Sequence, residues 1–169
     1  MDHVIAEKID PETEWKQYRR ALSRFATGVT VMTTTQECGA PAGVTANSFS
    51  SVSLDPPLVL WSLALNSSSF THFERGDRFG VNVLASDQTD LSRRFSTKGL
   101  DRFAGVPWRL SPRGVPVLDK ALAIFECAVQ ARHLAGDHMI FVGRVLHYDD
   151  CAGEPLVFHS GAYWQTRAL

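Results

Sequence analysis

The chain has 169 residues, of which 44% are hydrophobic and 21% charged, and its formal net charge is -1. That length suits one domain with a sizeable core, and the near-neutral charge lacks the basic footprint of a nucleic-acid binder. The start, MDHVIAEKID, has no apolar signal core, and no run of about 18 apolar residues occurs, so neither a leader nor a membrane span is expected. Cys38, Cys127 and Cys151 are far apart with no CxxC spacing, which argues against a disulfide framework or zinc knuckle and for a reduced, cytoplasmic compartment.

Residues 1–10 read as a flexible arm and residues 11–169 as a single domain. Asp10 offers an N-cap oxygen and Pro11 suits the first helical position. Trp15, Tyr18, Leu22 and Phe25 recur at helical spacing, predicting an amphipathic helix over 11–26 that Gly28 ends. The β-branched run 29–35 predicts a strand, 37–41 a hairpin turn and 42–50 the returning strand. Asp55-Pro56-Pro57 is a rigid break before an apolar strand over 58–65. A short helix follows over 70–75, with Thr71 and Glu74 at capping-box spacing and Ser67 to Ser69 competing for the cap. Residues 79–84 predict a strand, and Asp87 would cap a helix with Leu91 and Phe95 on one face.

Residues 97–118 read as an irregular excursion. Long strands are expected over 122–132 and 138–148, separated by Leu134-Ala135-Gly136-Asp137, with a last short strand over 155–159. Many strands at turn-length spacing and few short helices point to a mainly β barrel or sandwich. Neither GxGxxG nor GxxxxGK[ST] occurs, so a nicotinamide cofactor would not be held as in a doubly wound fold.

Several segments carry polar chemistry. Residues 43–51, GVTANSFSS, crowd small hydroxyl and amide side chains onto a strand. Backbone and short polar groups of this kind match the alternating donors and acceptors of a flavin edge, and small residues allow close approach of a flat ring. The same residues equally suit an edge strand facing water. Ser67 to Ser69 precede a helix start, a place for a phosphate or a plain cap. Arg93, Arg94 and Lys98 form a basic cluster that meets either phosphates or solvent. His138, beside a Gly-Asp turn, would donate to a carboxamide or phosphate, or is merely exposed. His159, Tyr163 and Trp164 would lie over a planar ligand or seal a barrel end. The six histidines show no HxH, HxxxH or HExxH spacing, and no GxSxG elbow is present, so neither a metal site nor that hydrolase pattern is expected.

In order along the chain, FATGVTV (25–31), GVTANSFSSVSLDPPL (43–58), FGVNVL (79–84) and Gly136-Asp137-His138 resemble the flavin reductase-like family over about Tyr18 to Trp164. The resemblance implies a split β-barrel of the FMN-binding type with flanking short helices. It implies that Thr45, Ala46, Asn47 and Ser48 lie against the isoalloxazine, with Ser62 and Leu63 lining the same site. Ser68 and Ser69 would take the flavin phosphate, and Asn82 and Arg94 would border the ribityl and phosphate region. His138 would meet the nicotinamide cofactor. The implied activity is hydride transfer from NADH or NADPH to FMN or FAD, with reduced flavin passed to a separate flavin-dependent monooxygenase by a homodimer. Alternatives within the resemblance are a flavoprotein that keeps its flavin and reduces a corrinoid or metal chelate, and a flavin-binding module without turnover. Hydride transfer needs stacked rings with reacting atoms roughly 3–3.5 Å apart and no protein nucleophile.

Overall fold

The structure is a computed structural model that describes residues 11–167. The arm expected over 1–10, with its cap at Asp10, lies outside the described residues.

Helix α1 (Pro11–Leu22) stops four residues before the expected end. The Ser23 hydroxyl donates to the Arg20 carbonyl at 2.8 Å, and the Arg24 and Phe25 amides turn back to Ala21 and Leu22. A serine that bonds the backbone of the preceding turn competes with helix continuation. The apolar side chains of this segment are exposed, Phe25 at 77%.

Strands β1 (Thr27–Gly28), β2 (Thr30–Thr35), β3 (Pro41–Ala46), β4 (Ser50–Leu54) and β5 (Pro57–Ala64) come next, then helix α2 (Phe70–Arg75), strand β6 (Arg78–Val83) and helix α3 (Thr89–Ser96). The chain continues through β7 (Trp108–Leu110), β8 (Pro116–Leu118), β9 (Ala123–Ala135), β10 (His138–Asp150), β11 (Leu156–His159) and β12 (Ala162–Gln165). Seven strands form one antiparallel sheet in the order β3-β2-β6-β9-β10-β5-β4. Its two edges, β3 and β4, are neighbours in sequence, joined by Asn47, Ser48 and Phe49 alone. Such a link reaches at most about 14 Å between Ala46 and Ser50, so the sheet must curl until its edges nearly meet. The edges do not pair with each other, and the result is a barrel split along one seam.

The interior of the curl is aromatic. Trp61 stacks on Phe141 with ring centroids 4.9 Å apart and meets Phe73 edge-on at 4.9 Å and Phe79 at 6.0 Å. Met32, Val59, Leu63, Val81 and Cys127 complete this cluster. Burial, and then the nearby Glu126 carboxylate, push the Cys127 thiol up to about 12, so it stays neutral and packs as a small hydrophobe. A second cluster under α3 gathers Val29, Val31, Leu84, Phe95, Phe103, Leu118 and Leu156.

Four expectations change. The returning strand expected over 42–50 ends at Ala46, and Ser50 begins a second strand on the opposite sheet edge, with residues 47–49 as the link. The excursion over 97–118 contains the β7–β8 hairpin. A further strand, β12, pairs with β11. Neither predicted helix cap forms: α2 starts at Phe70 after Ser69, and α3 starts after Gln88, whose Oε1 accepts the Ala85 amide and whose Nε2 donates to the Asp119 carbonyl. Asp87 and the Thr71–Glu74 pair therefore cap nothing. The β9–β10 turn forms where expected, with Gly136 at φ 60°.

Gly143 on β10 faces the core so closely that a Cβ there would clash with the edge of the Phe79 ring, 2.7 Å from Cε1, and lie 3.0 Å from Cys127 Cβ. Gly143→Ala is expected to lower stability by about 1–3 kcal/mol through overpacking, read as a fall in the urea midpoint; an unchanged midpoint would show that Phe79 can move aside.

Candidate functional site

The split opens a cleft of about 390 Å³, within the range of about 300–1,000 Å³ typical of small-molecule sites. One wall is the end of β3 with its link, Val44 to Ser48. The facing wall is the end of β5, Ser62 to Ala64, and the turn that follows it, Asn66 to Ser68. Ser96, Lys98 and Arg102 close one side, and His138 stands at the start of β10.

The seam is pinned by one hydroxyl. Ser48 Oγ donates to the Ser62 carbonyl at 3.1 Å and accepts the Ser62 amide at 2.9 Å. This holds the link against β5 although no strand ladder crosses the split. Thr45 and Ala46 also line the cleft, but Thr45 Oγ1 donates to the Ser92 carbonyl on α3 at 2.6 Å and the Ala46 carbonyl accepts from Thr30 Oγ1 at 2.7 Å. Their contribution to a ligand is shape and small volume. Side-chain polar groups with no partner among the described residues include the Asn47 and Asn66 amides, the Ser62 and Ser68 hydroxyls, the Lys98 ammonium and Arg102 Nη2.

His138 pairs across the sheet with Ala64, and the Leu65 amide donates to the Asp137 carbonyl at 3.0 Å, which fixes the turn at the mouth of the cleft. Nδ1 of His138 lies 2.7 Å from Asp137 Oδ1. A carboxylate only accepts, so Nδ1 carries the proton and Nε2 is left for other partners. The hydrogen bond from His138, and then its charge, hold the Asp137 carboxyl below its ordinary value. A lowered carboxyl stabilises the fold above its unfolded pKa, and that contribution is lost as pH falls through the folded value.

The cleft thus unites Thr45, Ala46, Asn47, Ser48, Ser62, Leu63, Ser68 and His138. Three predicted residues stand elsewhere. Ser69 is 5% exposed, and its hydroxyl accepts Arg102 Nη1 at 2.8 Å and faces the Gly43 carbonyl at 3.4 Å. Asn82 is fully buried on β6: Nδ2 donates to the Val31 carbonyl at 3.0 Å and to Thr33 Oγ1 at 3.2 Å, while Oδ1 accepts the Leu118 amide at 2.8 Å. It fastens β8 to the sheet. Arg94 donates to the carbonyls of Asp101, Arg102 and Ala104, so it holds the loop after α3 and does not face the cleft.

That loop delivers the residue the sequence reading missed. Arg102 folds back so that Nη1 donates to the Gly43 carbonyl at 2.6 Å and to Ser69, and Nε to the Thr97 carbonyl at 3.1 Å. Burial lowers its pKa, but a guanidinium remains charged. An arginine inside an irregular stretch carries no periodicity to show where it lands; its nearness to Gly99 and Gly105, both at positive φ, was the only hint of a fold-back. The expected anion site at the start of α2 is also changed. The Ser69 and Phe70 amides are taken by Ser67 Oγ and the Ser67 carbonyl, so positive charge near Ser68 comes from Lys98 and Arg102. Of the remaining candidates, Arg93 lies over the Tyr163 ring at 5.8 Å, Tyr163 shares a hydrogen bond with Ser92, and Trp164 donates to the His159 carbonyl.

Asn82→Ala would leave the Leu118 amide and Val31 carbonyl short of a partner in the interior. An expected loss of about 2–4 kcal/mol in urea unfolding tests its structural role; a loss below about 0.5 kcal/mol would contradict it.

The comparisons with known proteins place the chain in a family and match its fold. The family described as "Flavin reductase like domain" matches residues 22–167. The FMN reductase (NADH) SmoA of Agrobacterium fabrum is 49% identical over 148 residues, covering 88% of this chain and 84% of that protein. The reductase subunit HsaB of a flavin-dependent monooxygenase from Rhodococcus jostii is 41% identical over 161 residues, covering 95% and 80%. Among solved structures, the NADH:FAD oxidoreductase SgcE6 of Streptomyces globisporus, in complex with NAD and FAD fragments, superposes with a TM-score of 0.87 at 36% identity, covering 96% of this chain and 98% of that one.

Proposed function

The chain belongs to the flavin reductase-like family, and from that premise we propose that it transfers hydride from NADH or NADPH to FMN or FAD and supplies the reduced flavin to a separate monooxygenase. The observation that carries this reading is the cleft at the barrel seam, in which small side chains line the walls and several polar groups stand without partners among the described residues.

That donor set fits a flavin. The Asn47 amide and Ser62 hydroxyl offer both donors and acceptors to a ring edge of alternating polarity, and Thr45, Ala46 and Ala64 leave room for a flat ring. Ser68, Lys98 and Arg102 offer a hydroxyl and two cations to a phosphate. Bound together, the nicotinamide supplies the hydride and the flavin accepts it, so the protein needs no nucleophile and no metal ligand of its own. Its residues orient and exclude water: Ser48 fixes the width of the seam, Ser69 positions Arg102, and Asp137 holds Nδ1 of His138, which would leave Nε2 for a nicotinamide cofactor. Most of the lining is half-buried or exposed, which favours flavin as a substrate that leaves after reduction.

A homodimer belongs to the same proposal. Leu54 at the β4 edge is 94% exposed, and Trp15, Tyr18, Leu22, Phe25, Leu134 and Tyr148 are also exposed; apolar surface of this extent calls for cover. Leu54→Asp is expected to shift the sedimentation coefficient from dimer to monomer, and an unchanged dimer would remove β4 from the interface. Residues 11–169 form one domain in this reading, and the three free thiols suit a reducing cytoplasm.

Anaerobic mixing of the protein with excess flavin and NADH or NADPH tests the activity. Catalytic bleaching of the flavin absorption band is expected, and no bleaching with either donor would sink the proposal. Arg102→Ala is expected to raise KM for flavin by about 10–100-fold, the worth of a charge-assisted hydrogen bond. His138→Ala should raise KM for the nicotinamide donor and leave KM for flavin in place. If His138→Ala changes neither KM for the donor nor kcat, His138 has no part in the reaction.

A further inference from the structure

Arg102 reaches the cleft from an irregular loop bracketed by Gly99 and Gly105, both at positive φ. Two side chains tie this loop to the rest of the molecule from outside the cleft. Phe103 is buried and meets Phe95 edge-on at 5.0 Å and Trp108 at 5.5 Å, so it anchors the loop to the core under α3. Arg94, on α3 itself, does something else. Its Nε donates to the Arg102 carbonyl at 2.9 Å, and its Nη2 donates to the carbonyls of Asp101 at 3.1 Å and Ala104 at 2.6 Å. Nε and Nη2 carry three N–H groups, and all three are spent on one loop.

The consequence for Arg102 is that both its ends are held. Arg94 fixes its backbone carbonyl, while its own side chain donates to Thr97, Gly43 and Ser69. The guanidinium therefore stands in place before a ligand arrives, with Nη2 unpartnered among the described residues. A cation already immobilised loses less freedom on meeting an anion than one on a loose loop, and the anion binds more tightly for it. We propose that Arg94 is a positioning residue for the flavin phosphate, acting through the loop on Arg102 and touching no ligand itself. The proposal rests on the flavin-reducing function above and adds a second arginine to it. Phe103 keeps the loop on the core with or without Arg94, so loss of Arg94 loosens the Arg102 guanidinium and spares the fold.

Titration calorimetry with FMN and with riboflavin, which share a ring system and differ in the phosphate, tests this without turnover. Arg94→Ala is expected to weaken FMN about tenfold and to leave riboflavin unchanged, with KM for the nicotinamide donor and kcat at saturating FMN in place. When Arg94→Ala is added to Arg102→Ala, the loss is expected to equal that of Arg102→Ala alone, since nothing is left to position. Arg94→Lys keeps the charge and loses the planar fork. It is expected to show the same selective loss, and it carries the test if the alanine variant does not fold. Unchanged FMN affinity, equal weakening of FMN and riboflavin, or additive losses in the double variant would overturn the proposal while the reductase function stood. Binding and reduction of neither flavin by the unmodified protein would overturn the function, and the role of Arg94 with it.

Discussion

Three residues set the architecture. Asn47, Ser48 and Phe49 join the two outermost strands of a seven-stranded sheet, and so short a link forces the sheet to curl until its edges are near neighbours. The curl then needs a filling, which Trp61, Phe73, Phe79 and Phe141 provide. It also leaves a seam, because the edges approach without a ladder of hydrogen bonds. The seam is where a ligand can reach backbone and side-chain polar groups that a closed barrel would have used up.

The same constraint explains how residues far apart in sequence come to one cleft. Gly43 lets α3 sit directly on β3, since a Cβ there would lie 2.7 Å from the Phe95 ring. Thr45 ties the two together through the Ser92 carbonyl. Arg94, on that helix, grips the loop that follows, and the loop carries Arg102 back across β3 to Ser69. From the opposite wall, the antiparallel pairing of β5 with β10 brings His138 beside Ala64. A basic side chain outside the cleft thus supports the one within it.

Most of the strands, and so a mainly β barrel or sandwich, were legible because alternation, β-branched runs and Gly or Pro punctuation mark strands and turns locally; the split barrel was implied by the resemblance to a family. The segment 43–51 carried part of the cleft through its run of small polar side chains, although the run alone suited an edge strand facing water as well. The same segment misled on its geometry, since nothing local shows that β3 and β4 belong to opposite edges of the sheet. Ser69, Asn82 and Arg94 were read as ligand residues from their place in a motif. Their hydrogen bonds are spent on Arg102, on Val31, Thr33 and Leu118, and on the loop carbonyls respectively.

By itself, the sequence determined the class of fold and, through the ordered segments that resemble one family, the chemistry of a protein that orients two cofactors. These follow from residue type and local spacing, which each segment carries with it. Only the tertiary structure decided which polar groups remain free. That depends on who else reaches them: Thr45 and Asn82 are occupied by partners tens of residues away, whereas Arg102, silent in sequence, arrives at the cleft with one edge of its guanidinium unspent.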